Sequence, residues 1–369
     1  MASQSLNLAK ALAARFPWTT NPFIVSAPMR GLSSAELAVA VSNAGGLGFI
    51  GPRPNPKDWT LVLDKVRDLA TKARNTTSSG SQLARLPPDY ALLPIGIGFQ
   101  VWTDDLAAAT ATVQQHKPCV VWLFAPRNGQ AELDEWSRAL RDASPDTEIW
   151  IQIGTVAEAR EIIASSSPPA VVVVQGAEAG GHGRATDGMA LTTLLPEIAE
   201  LFRKEEKSIP LLAAGGIVDG RGAAAALCLG ASGVVMGTRF LNAVENNNVP
   251  AGYQQEIIRV QDAATSTTRT QLYNHLRGIT TWPEQWSPRA IINRTFRDHQ
   301  AGVPFDELKK LHDEAAKSGS NNYGPDGRLG AYVGAGVGLI HDIKNAEAIV
   351  KDTQTEAASI LRALSSSIS

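Results

Sequence analysis

The chain has 369 residues, of which 44% are hydrophobic, and its 34 basic and 36 acidic side chains give a net charge of −2. This length suggests about two domains, or one α/β barrel with an insertion, and the composition excludes a generally disordered chain. The near-neutral charge argues against a nucleic-acid or membrane-surface binder, because either would carry a basic field. No apolar run approaches the ~18 residues that a membrane helix needs.

The N-terminal segment and the cysteines give expectations about location. Residues 1–20 lack the continuous apolar region of a secretory signal and predict a short helix that leads into the first strand. Cys119 and Cys228 offer neither a disulfide framework nor the spacing of metal ligands. We therefore expect no metal site and a reducing, cytoplasmic location.

Eight short apolar runs predict strands, and several of them show no alternation of polar and apolar residues. Continuous apolar runs such as those at 119–124 and 171–174 are typical of strands buried on both faces of a parallel sheet. The predicted strands are Phe23–Ala27, Leu47–Ile50, Ile95–Phe99, Cys119–Phe124, Glu148–Ile153, Ala170–Gln175, Pro210–Ala214 and Ser232–Met236.

Helix-start signals lie between these runs, at Ser34, Asp104, Thr155 and Asp219. Eight strand–helix units fit either an open doubly wound sheet or a closed (β/α)₈ barrel. Eight units within about 245 residues match the ~250 residues typical of a barrel. The turn after the first strand also lacks the glycine pattern of a dinucleotide fold. We therefore predict an α/β protein, a (β/α)₈ TIM barrel with a smaller, mainly helical cap subdomain.

The domain boundaries follow from where the alternation stops. We expect the barrel to cover residues 1–245, with a polar inserted loop at 75–91. Residues 246–330 lose the alternation and predict a helical cap over the substrate site. Residues 331–369 predict a glycine-rich return segment and a C-terminal helix, near 345–364, that packs on the barrel.

Glycine-rich turns follow the seventh and eighth predicted strands. Gly215 and Gly216 follow the seventh predicted strand, and Gly237 and Thr238 follow the eighth. Glycines allow close approach of a phosphate to backbone amides and a helix N-terminus, and this is the usual phosphate position in such barrels. The alternative is that these glycines only form tight turns. The pattern alone does not distinguish FMN from a phosphosugar or a nucleotide.

One histidine, His182, stands among glycines after the sixth predicted strand. Imidazole is the side chain best suited to proton transfer near neutral pH, and this position is at the barrel mouth. The alternative is a loop histidine with a structural hydrogen bond. The other histidines fall in helical or cap segments, and among them only His275 remains a second candidate, since the cap could reach the substrate.

Residues after other strands add candidate walls for a flat ligand. Ala27, Pro28 and Met29 follow the first strand, Gln100 ends the third, and Gln152 lies in the fifth. Each has an ordinary structural alternative. The sequence lacks HExxH, GxSxG and a Walker A lysine, so a bound organic cofactor would supply the redox or bond-breaking chemistry. FMN suits an elongated site that runs from a phosphate cradle to a histidine.

The motifs NPFIVSAPMRG, VVVVQGAEAGGHGR, LLAAGGIVDGRG and GVVMGTRF, in this order, resemble the nitronate monooxygenases, once called 2-nitropropane dioxygenases. The resemblance extends into TRTQLYNHLRG and YGPDGRLGAYVGAGVGLI and covers most of residues 21–345. It implies an FMN-dependent (β/α)₈ oxidoreductase. It also implies the site residues: His182 as the catalytic histidine, and Ala27, Pro28, Met29, Gln100, Gln152, Gln175, Gly180, Gly215, Gly216, Gly237 and Thr238 at the cofactor, with the loop Gly334–Gly338 returning to it.

Two positions depart from the family pattern. Many relatives carry a lysine near the polar edge of the flavin where Gln152 stands, so the positive charge at that edge is not expected here. An aspartate often ends the sixth strand where Gln175 stands. The implied reaction is oxidation of alkyl nitronates, such as propionate 3-nitronate, by O₂ through a flavin semiquinone to a carbonyl compound and nitrite. His182 would orient the nitronate, or deprotonate a neutral nitroalkane.

Two other functions stay open on the same scaffold: an NAD(P)H-dependent quinone or enoyl-thioester reductase, and a non-redox barrel that binds a phosphorylated ligand. The expected partners are a small-molecule nitronate or nitroalkane and O₂, without nucleic acid or membrane. The sequence leaves the oligomeric state open, with a homodimer as one option.

Overall fold

The computed structural model describes residues 2–53, 57–76 and 80–368. The strands are β1 Ile24–Ser26, β2 Phe49–Ile50, β3 Leu93–Gln100, β4 Pro118–Phe124, β5 Glu148–Ile153, β6 Val171–Gln175, β7 Gly181–Arg184, β8 Leu211–Ala214, β9 Gly233–Met236, β10 Thr267–Arg269 and β11 Trp286–Ile291.

The helices within the described residues are α1 Ala2–Arg15, α2 Ala35–Asn43, α3 Lys57–Arg74, α4 Leu106–His116, α5 Gln130–Ala143, α6 Val156–Ala164, α7 Leu191–Lys204, α8 Gly220–Cys228, α9 Thr238–Leu241, α10 Ala251–Arg259, α11 Ala263–Ser266, α12 Leu272–Leu276, α13 Arg294–Gln300, α14 Phe305–Lys317 and α15 Ala346–Ile368. Three short 3₁₀ turns cover Leu83–Arg85, Gly319–Asn322 and Ala335–Leu339. None of the helices in the described ranges combines the length and hydrophobicity needed to cross a bilayer.

Eight parallel strands form the barrel, in the order β1-β9-β8-β6-β5-β4-β3-β2. A parallel bridge between Val25 and Leu47 completes the circuit, with Leu47 N donating to Ile24 O at 2.9 Å and Ser26 N to Leu47 O at 3.1 Å. All eight predicted strands are present, and the predicted barrel is confirmed. Because β4 and the valine run of β6 are buried along their length, their continuous apolar sequence is explained by contacts on both faces.

Aromatic side chains fill the interior of the barrel. The Phe49 ring lies 5.4 Å from Trp122 and 5.5 Å from Trp150, and Phe16 lies 6.0 Å from Trp150. Each fully buried ring contributes roughly 1.5–3 kcal/mol by leaving water. With the interior packed in this way, open space is left at the C-terminal ends of the strands.

The predicted helix starts are right at three positions and wrong at one. The side chains of Ser34, Thr155 and Asp219 each accept a hydrogen bond from the amide three residues on, at 3.0 to 3.1 Å. Asp105, not the predicted Asp104, caps α4. Asp104 turns back toward the end of β3, where its carboxylate accepts from Gln100 N at 2.7 Å and from Arg30 at 3.2 Å.

Residues 246–330 contain the helices α10 to α14 and also two strands that the sequence analysis did not predict. β10 and β11 pair antiparallel, and β11 pairs in turn with β7, which follows barrel strand β6. β7 has the sequence GHGR, and β11 contains a proline, so neither carries a local strand signal. Both segments are strands because they pair with segments distant in the sequence. This pairing places His182 on a strand, opposite Pro288, and not in a loop.

The return segment joins this three-stranded sheet to the barrel. Ile291 N donates to Ala331 O at 2.8 Å, and α15 then packs on α8 and α2. α15 extends to Ile368, beyond the predicted end near residue 364. Of the predicted loop 75–91, residues 77–79 lie outside the described residues, and the remainder contains the turn Leu83–Arg85.

Candidate active site

A cavity of about 560 Å³ opens at the C-terminal ends of the barrel strands. The residues predicted as the catalytic histidine and the cofactor contacts all line it: Ala27, Pro28, Met29, Gln100, Gln152, Gln175, Gly180, His182, Gly215, Gly216, Gly237 and Thr238. They come from six strand ends that are far apart in the sequence. Barrel closure brings these strand ends together, and this is the face where such folds hold their active sites.

The turn after β1 is held rigid by Ser33. Its hydroxyl oxygen accepts from Met29 N at 2.8 Å and the hydroxyl donates to Met29 O at 3.0 Å. The same oxygen accepts from Gly51 N at 3.2 Å, which ties the turn to the residues after β2. Ala27, Pro28 and Met29 therefore present a fixed, mainly apolar wall to the cavity.

The three glutamines serve different purposes. Gln100 Oε1 accepts from Arg30 at 3.0 Å, and Gln175 Nε2 donates to the backbone oxygen of His182 at 3.2 Å. Gln152 is 8% exposed, and its Oε1 accepts from Trp122 Nε1 at 3.1 Å. Its Nε2 has no hydrogen-bond partner in the described structure. A buried amide donor without a partner is costly, and a ligand acceptor in the cavity would satisfy it.

The glycine turns after β8 and β9 leave backbone donors free. The amides of Gly215, Gly216 and Gly237 donate to no other group among the described residues. Gly215 and Gly216 adopt φ of +115° and +72°, which a side chain would strain. At position 237 the protein's own packing does not require glycine. An added Cβ would meet Ala27 Cβ at 3.6 Å and Met29 Sδ at 4.0 Å, and both are ordinary van der Waals contacts.

The helix N-terminus expected beside this cradle does not take part. Asp219 caps α8, and the Glu356 carboxylate accepts from Gly220 N at 2.8 Å. Two carboxylates thus occupy the start of α8, where a phosphate would be repelled. α9 has only four residues. An anion at this end of the cavity would therefore be bound by the free amides of Gly215, Gly216 and Gly237.

Gly180 contacts the return segment. A Cβ at this position would lie 2.4 Å from Gly334 N and from the Val333 carbonyl carbon. Gly334 N also donates to Thr238 Oγ1 at 2.9 Å, and Ala335 N donates to Glu178 O at 2.8 Å. The protein's own backbone therefore explains this glycine, and the loop Gly334–Gly338 reaches the cavity edge as expected.

His182 is held by a stack and a hydrogen bond. Its ring lies on Trp282, with centroids 3.7 Å apart and planes at 11°. Asn274 Nδ2 lies 2.9 Å from His182 Nε2. Burial is the main cause that lowers the pKa of His182 to about 3, and the positive charges of Arg277 and Arg269 add to it. The ring is therefore neutral at physiological pH.

The cavity is electropositive although the chain is not. Its charged lining side chains, among the described residues, are Arg30 and Arg277, and no acidic residue lines it. Arg30 is compensated by Asp104 at 3.2 Å. Arg277 has no carboxylate partner among the described residues, and its guanidinium lies 4.9 Å from the centre of the Tyr332 ring. The site therefore favours anions.

A further arginine orders the segment after β6. Arg269 donates to the backbone oxygens of Ala177 at 3.1 Å, Ala179 at 3.0 Å, Gly181 at 3.3 Å and Ser287 at 2.5 Å. Burial lowers the pKa of Arg269 to about 10, which leaves it charged at neutral pH. One cation thus connects β10, β11 and the chain that carries His182.

Sequence reasoning did not name the residues that contact the imidazole from beyond the barrel. Asn274 and Trp282 reach His182 through the folding of residues 246–330 over the barrel, and Tyr332 reaches it from the return segment. The second candidate, His275, is exposed and does not line the cavity, since α12 turns its neighbour Asn274 inward. The motif TRTQLYNHLRG was the available signal for this contact, because it contains Asn274 next to His275.

Comparison with known proteins identifies the family. The family model for nitronate monooxygenase matches residues 16–354. "Nitronate monooxygenase npaC" of Metarhizium robertsii is 54% identical over 95% of both chains, and a nitronate monooxygenase of Neurospora crassa is 36% identical over 93% of this chain and 90% of its own.

Solved structures agree on the fold. A nitroalkane oxidase from Streptomyces ansochromogenes superposes with a TM-score of 0.69 at 24% identity, over 96% of this chain and 98% of its own. FabK from Thermotoga maritima also gives 0.69 at 24% identity, over 93% and 94%. These two likenesses show the barrel alone, whereas the family match and the curated relatives carry the assignment. The chain belongs to the nitronate monooxygenase family of flavin-dependent oxidoreductases.

Proposed function

We propose that this enzyme binds FMN and uses O₂ to oxidise alkyl nitronates, propionate 3-nitronate among them, to a carbonyl compound and nitrite. The observation that carries the proposal is one cavity that combines free backbone amides, an apolar wall, a neutral histidine and only cationic charged side chains. A nitronate is an anion, and this lining suits it better than it suits a neutral substrate.

FMN fits the described residues. Its phosphate would accept from the free amides of Gly215, Gly216 and Gly237. Gly215 and Gly216 have positive φ angles, and none of the three glycines places a side chain beside these amides. Its ring would lie against the wall formed by Ala27 to Met29, with the unpartnered Gln152 Nε2 as a donor to a ring heteroatom. When bound, FMN supplies the electron-transfer chemistry with nitronate and oxygen.

The chain's own residues bind and orient the substrate. Arg277, which has no carboxylate partner among the described residues, attracts the negative charge, and His182 supplies a hydrogen bond to the nitronate oxygens. Trp282, stacked on His182, keeps the ring in one orientation and excludes water from one of its faces. These roles lower the cost of bringing an anion to the cofactor, and they require no protein nucleophile.

Two measurements test the proposal. Flavin released from the purified protein by denaturation is identified by chromatography and mass, and we expect FMN at close to one per chain. Nitrite formation and oxygen consumption are then followed with propionate 3-nitronate. Rapid anaerobic bleaching by NADH or NADPH, without nitrite from any nitronate, would instead support a reductase. A colourless protein that does not bind added FMN would refute the flavin assignment.

A further inference from the structure

His182 uses one ring nitrogen within the protein and leaves the other to the cavity. Nε2 is hydrogen-bonded to Asn274 at 2.9 Å. Nδ1 makes no hydrogen bond to any described residue, yet it is not among the buried side-chain atoms that lack a partner. It is therefore accessible, and His182 lines the cavity. A ligand in the cavity meets Nδ1.

The orientation of the Asn274 amide is determined by its other neighbours. Asn274 Oδ1 accepts from Tyr332 Oη at 2.9 Å and from Arg277 Nη2 at 3.4 Å. A guanidinium group has donors only, so the amide oxygen must face it. The amide nitrogen also donates to Gln271 Oε1 at 2.6 Å, and the amide nitrogen of Gln271 is itself used on a backbone oxygen. Nδ2 of Asn274 is thus the atom that faces His182.

An amide nitrogen can only donate, so Nε2 of His182 must be the acceptor and the ring proton must lie on Nδ1. The charged groups that face the ring are Arg277, Arg269 and Arg30, and no carboxylate is among them. Burial together with these cations disfavours a second ring proton. The imidazole is thereby held neutral in one tautomer.

We propose that Asn274 is a positioning residue that fixes His182 as the Nδ1–H tautomer, so that the imidazole meets the substrate as a hydrogen-bond donor and not as a base. This inference rests on the proposed nitronate oxidation and deepens it. A donor is complementary to the anionic oxygens of a preformed nitronate. It cannot remove the carbon-bound proton of a neutral nitroalkane. Of the two roles that the family resemblance allows for His182, the structure therefore favours orientation.

The tautomer can be observed directly in the holoenzyme labelled with ¹⁵N-histidine. In a long-range ¹H–¹⁵N correlation spectrum, Nε2 couples to both carbon-bound ring protons, whereas Nδ1 couples strongly to one. The His182→Asn spectrum identifies the resonances. We expect an unprotonated Nε2 and a protonated Nδ1 at neutral pH. A protonated Nε2, or an imidazolium ring, would overturn the proposal without any use of activity.

Variants of Asn274 test the consequence. In Asn274→Asp the carboxylate can only accept, so we expect the proton to move to Nε2 and the pKa of His182 to rise. We expect kcat/KM for nitronate to fall at least tenfold, and the preference for nitronate over the parent nitroalkane to fall at least tenfold. Asn274→Leu, which removes the donor without adding charge, should give a mixture of tautomers.

His275→Gln is the matched control, since it changes the exposed neighbour on the same short helix. It should leave the His182 resonances and the substrate preference as in the wild type. If Asn274→Asp keeps both the wild-type tautomer and the wild-type preference, Asn274 does not position the ring. If the tautomer is as expected but no nitronate yields nitrite, the proposed function fails while the tautomer assignment stands. If Asn274→Asp does not fold, the wild-type spectrum and Asn274→Leu still decide.

Discussion

Gly237→Ala separates what the fold requires at this position from what a bound cofactor requires. Gly237 has φ of −100° and ψ of −73°, at the edge of the right-handed helical region and far from the left-handed region that favours glycine. The added Cβ would be in ordinary van der Waals contact with Ala27 and Met29, at 3.6 and 4.0 Å. The apoprotein should therefore be unaffected, or more stable by about 0.4–1 kcal/mol, because alanine restricts the unfolded chain.

The holoenzyme should respond in the opposite direction. The methyl group would occupy space in the cavity beside the free amide proposed to bind the phosphate, and we expect the Kd for FMN to rise at least tenfold, about 1.4 kcal/mol. With wild-type FMN present at 100 times its Kd, the cofactor stabilises the fold by about 2.7 kcal/mol. After a tenfold rise in Kd, the same FMN concentration contributes only about 1.4 kcal/mol.

The assay is thermal unfolding of the apoprotein and of the FMN-loaded protein, together with titration of the apoprotein by quenching of FMN fluorescence. Gly222→Ala is the control, because it lies in α8 outside the cavity and its added Cβ would meet neighbours at 3.4 to 3.7 Å. It should stabilise both forms by up to about 1 kcal/mol. An unchanged Kd for FMN in Gly237→Ala would refute the placement of the phosphate at this turn.

Three further predictions concern the imidazole and the guanidinium group beside it. His182→Asn should keep FMN bound but lower nitrite formation by about 10²-fold or more; turnover at the wild-type rate would exclude the proposed role. Arg277→Gln should raise KM for the nitronate at least tenfold with a smaller effect on kcat, Arg277→Lys should recover part of it, and a loss confined to kcat would contradict the binding role. The pKa of His182 is lowered to about 3 in the native enzyme, whereas a free histidine has a pKa near ~6.5. Between these values the unfolded chain binds more protons, so stability falls as pH falls, by about 2 kcal/mol at pH 5. Denaturant unfolding at pH 7 and pH 5 should show that difference in the wild type, and a correspondingly smaller one in His182→Asn.

Local sequence determines much of the architecture. The continuous apolar sequences of β4 and of the valine run in β6 predict parallel strands buried on both faces. The helix caps at Ser34, Thr155 and Asp219 each depend on a hydrogen bond to an amide only three residues away. The family motifs are also local, so the candidate residues at the strand ends could be named from the sequence.

Other features depend on contacts between distant segments, and no local pattern encodes them. β7 becomes a strand because it pairs with β11, which itself pairs with β10, so the sequence around His182 predicts a loop. The Asp104 carboxylate accepts a local hydrogen bond from Gln100 N and a distant one from Arg30, 74 positions earlier, and burial there raises the pKa of the carboxyl group. The start of α8 is occupied by Glu356, which approaches from the C-terminal helix.

The sequence by itself determined the barrel and the family, and it was enough to name His182 as the candidate histidine, because each of these depends on residue types and on spacings within strand–helix units. Only the tertiary structure decided which nitrogen of that histidine is free, which glycines the backbone itself requires, and which arginine of the cavity has no carboxylate partner among the described residues. Those properties depend on the direction and distance of side chains from segments some 90 residues away, such as Asn274 beside His182. Hydrogen bonding and charge compensation act over a few ångströms in space, whatever the separation along the chain.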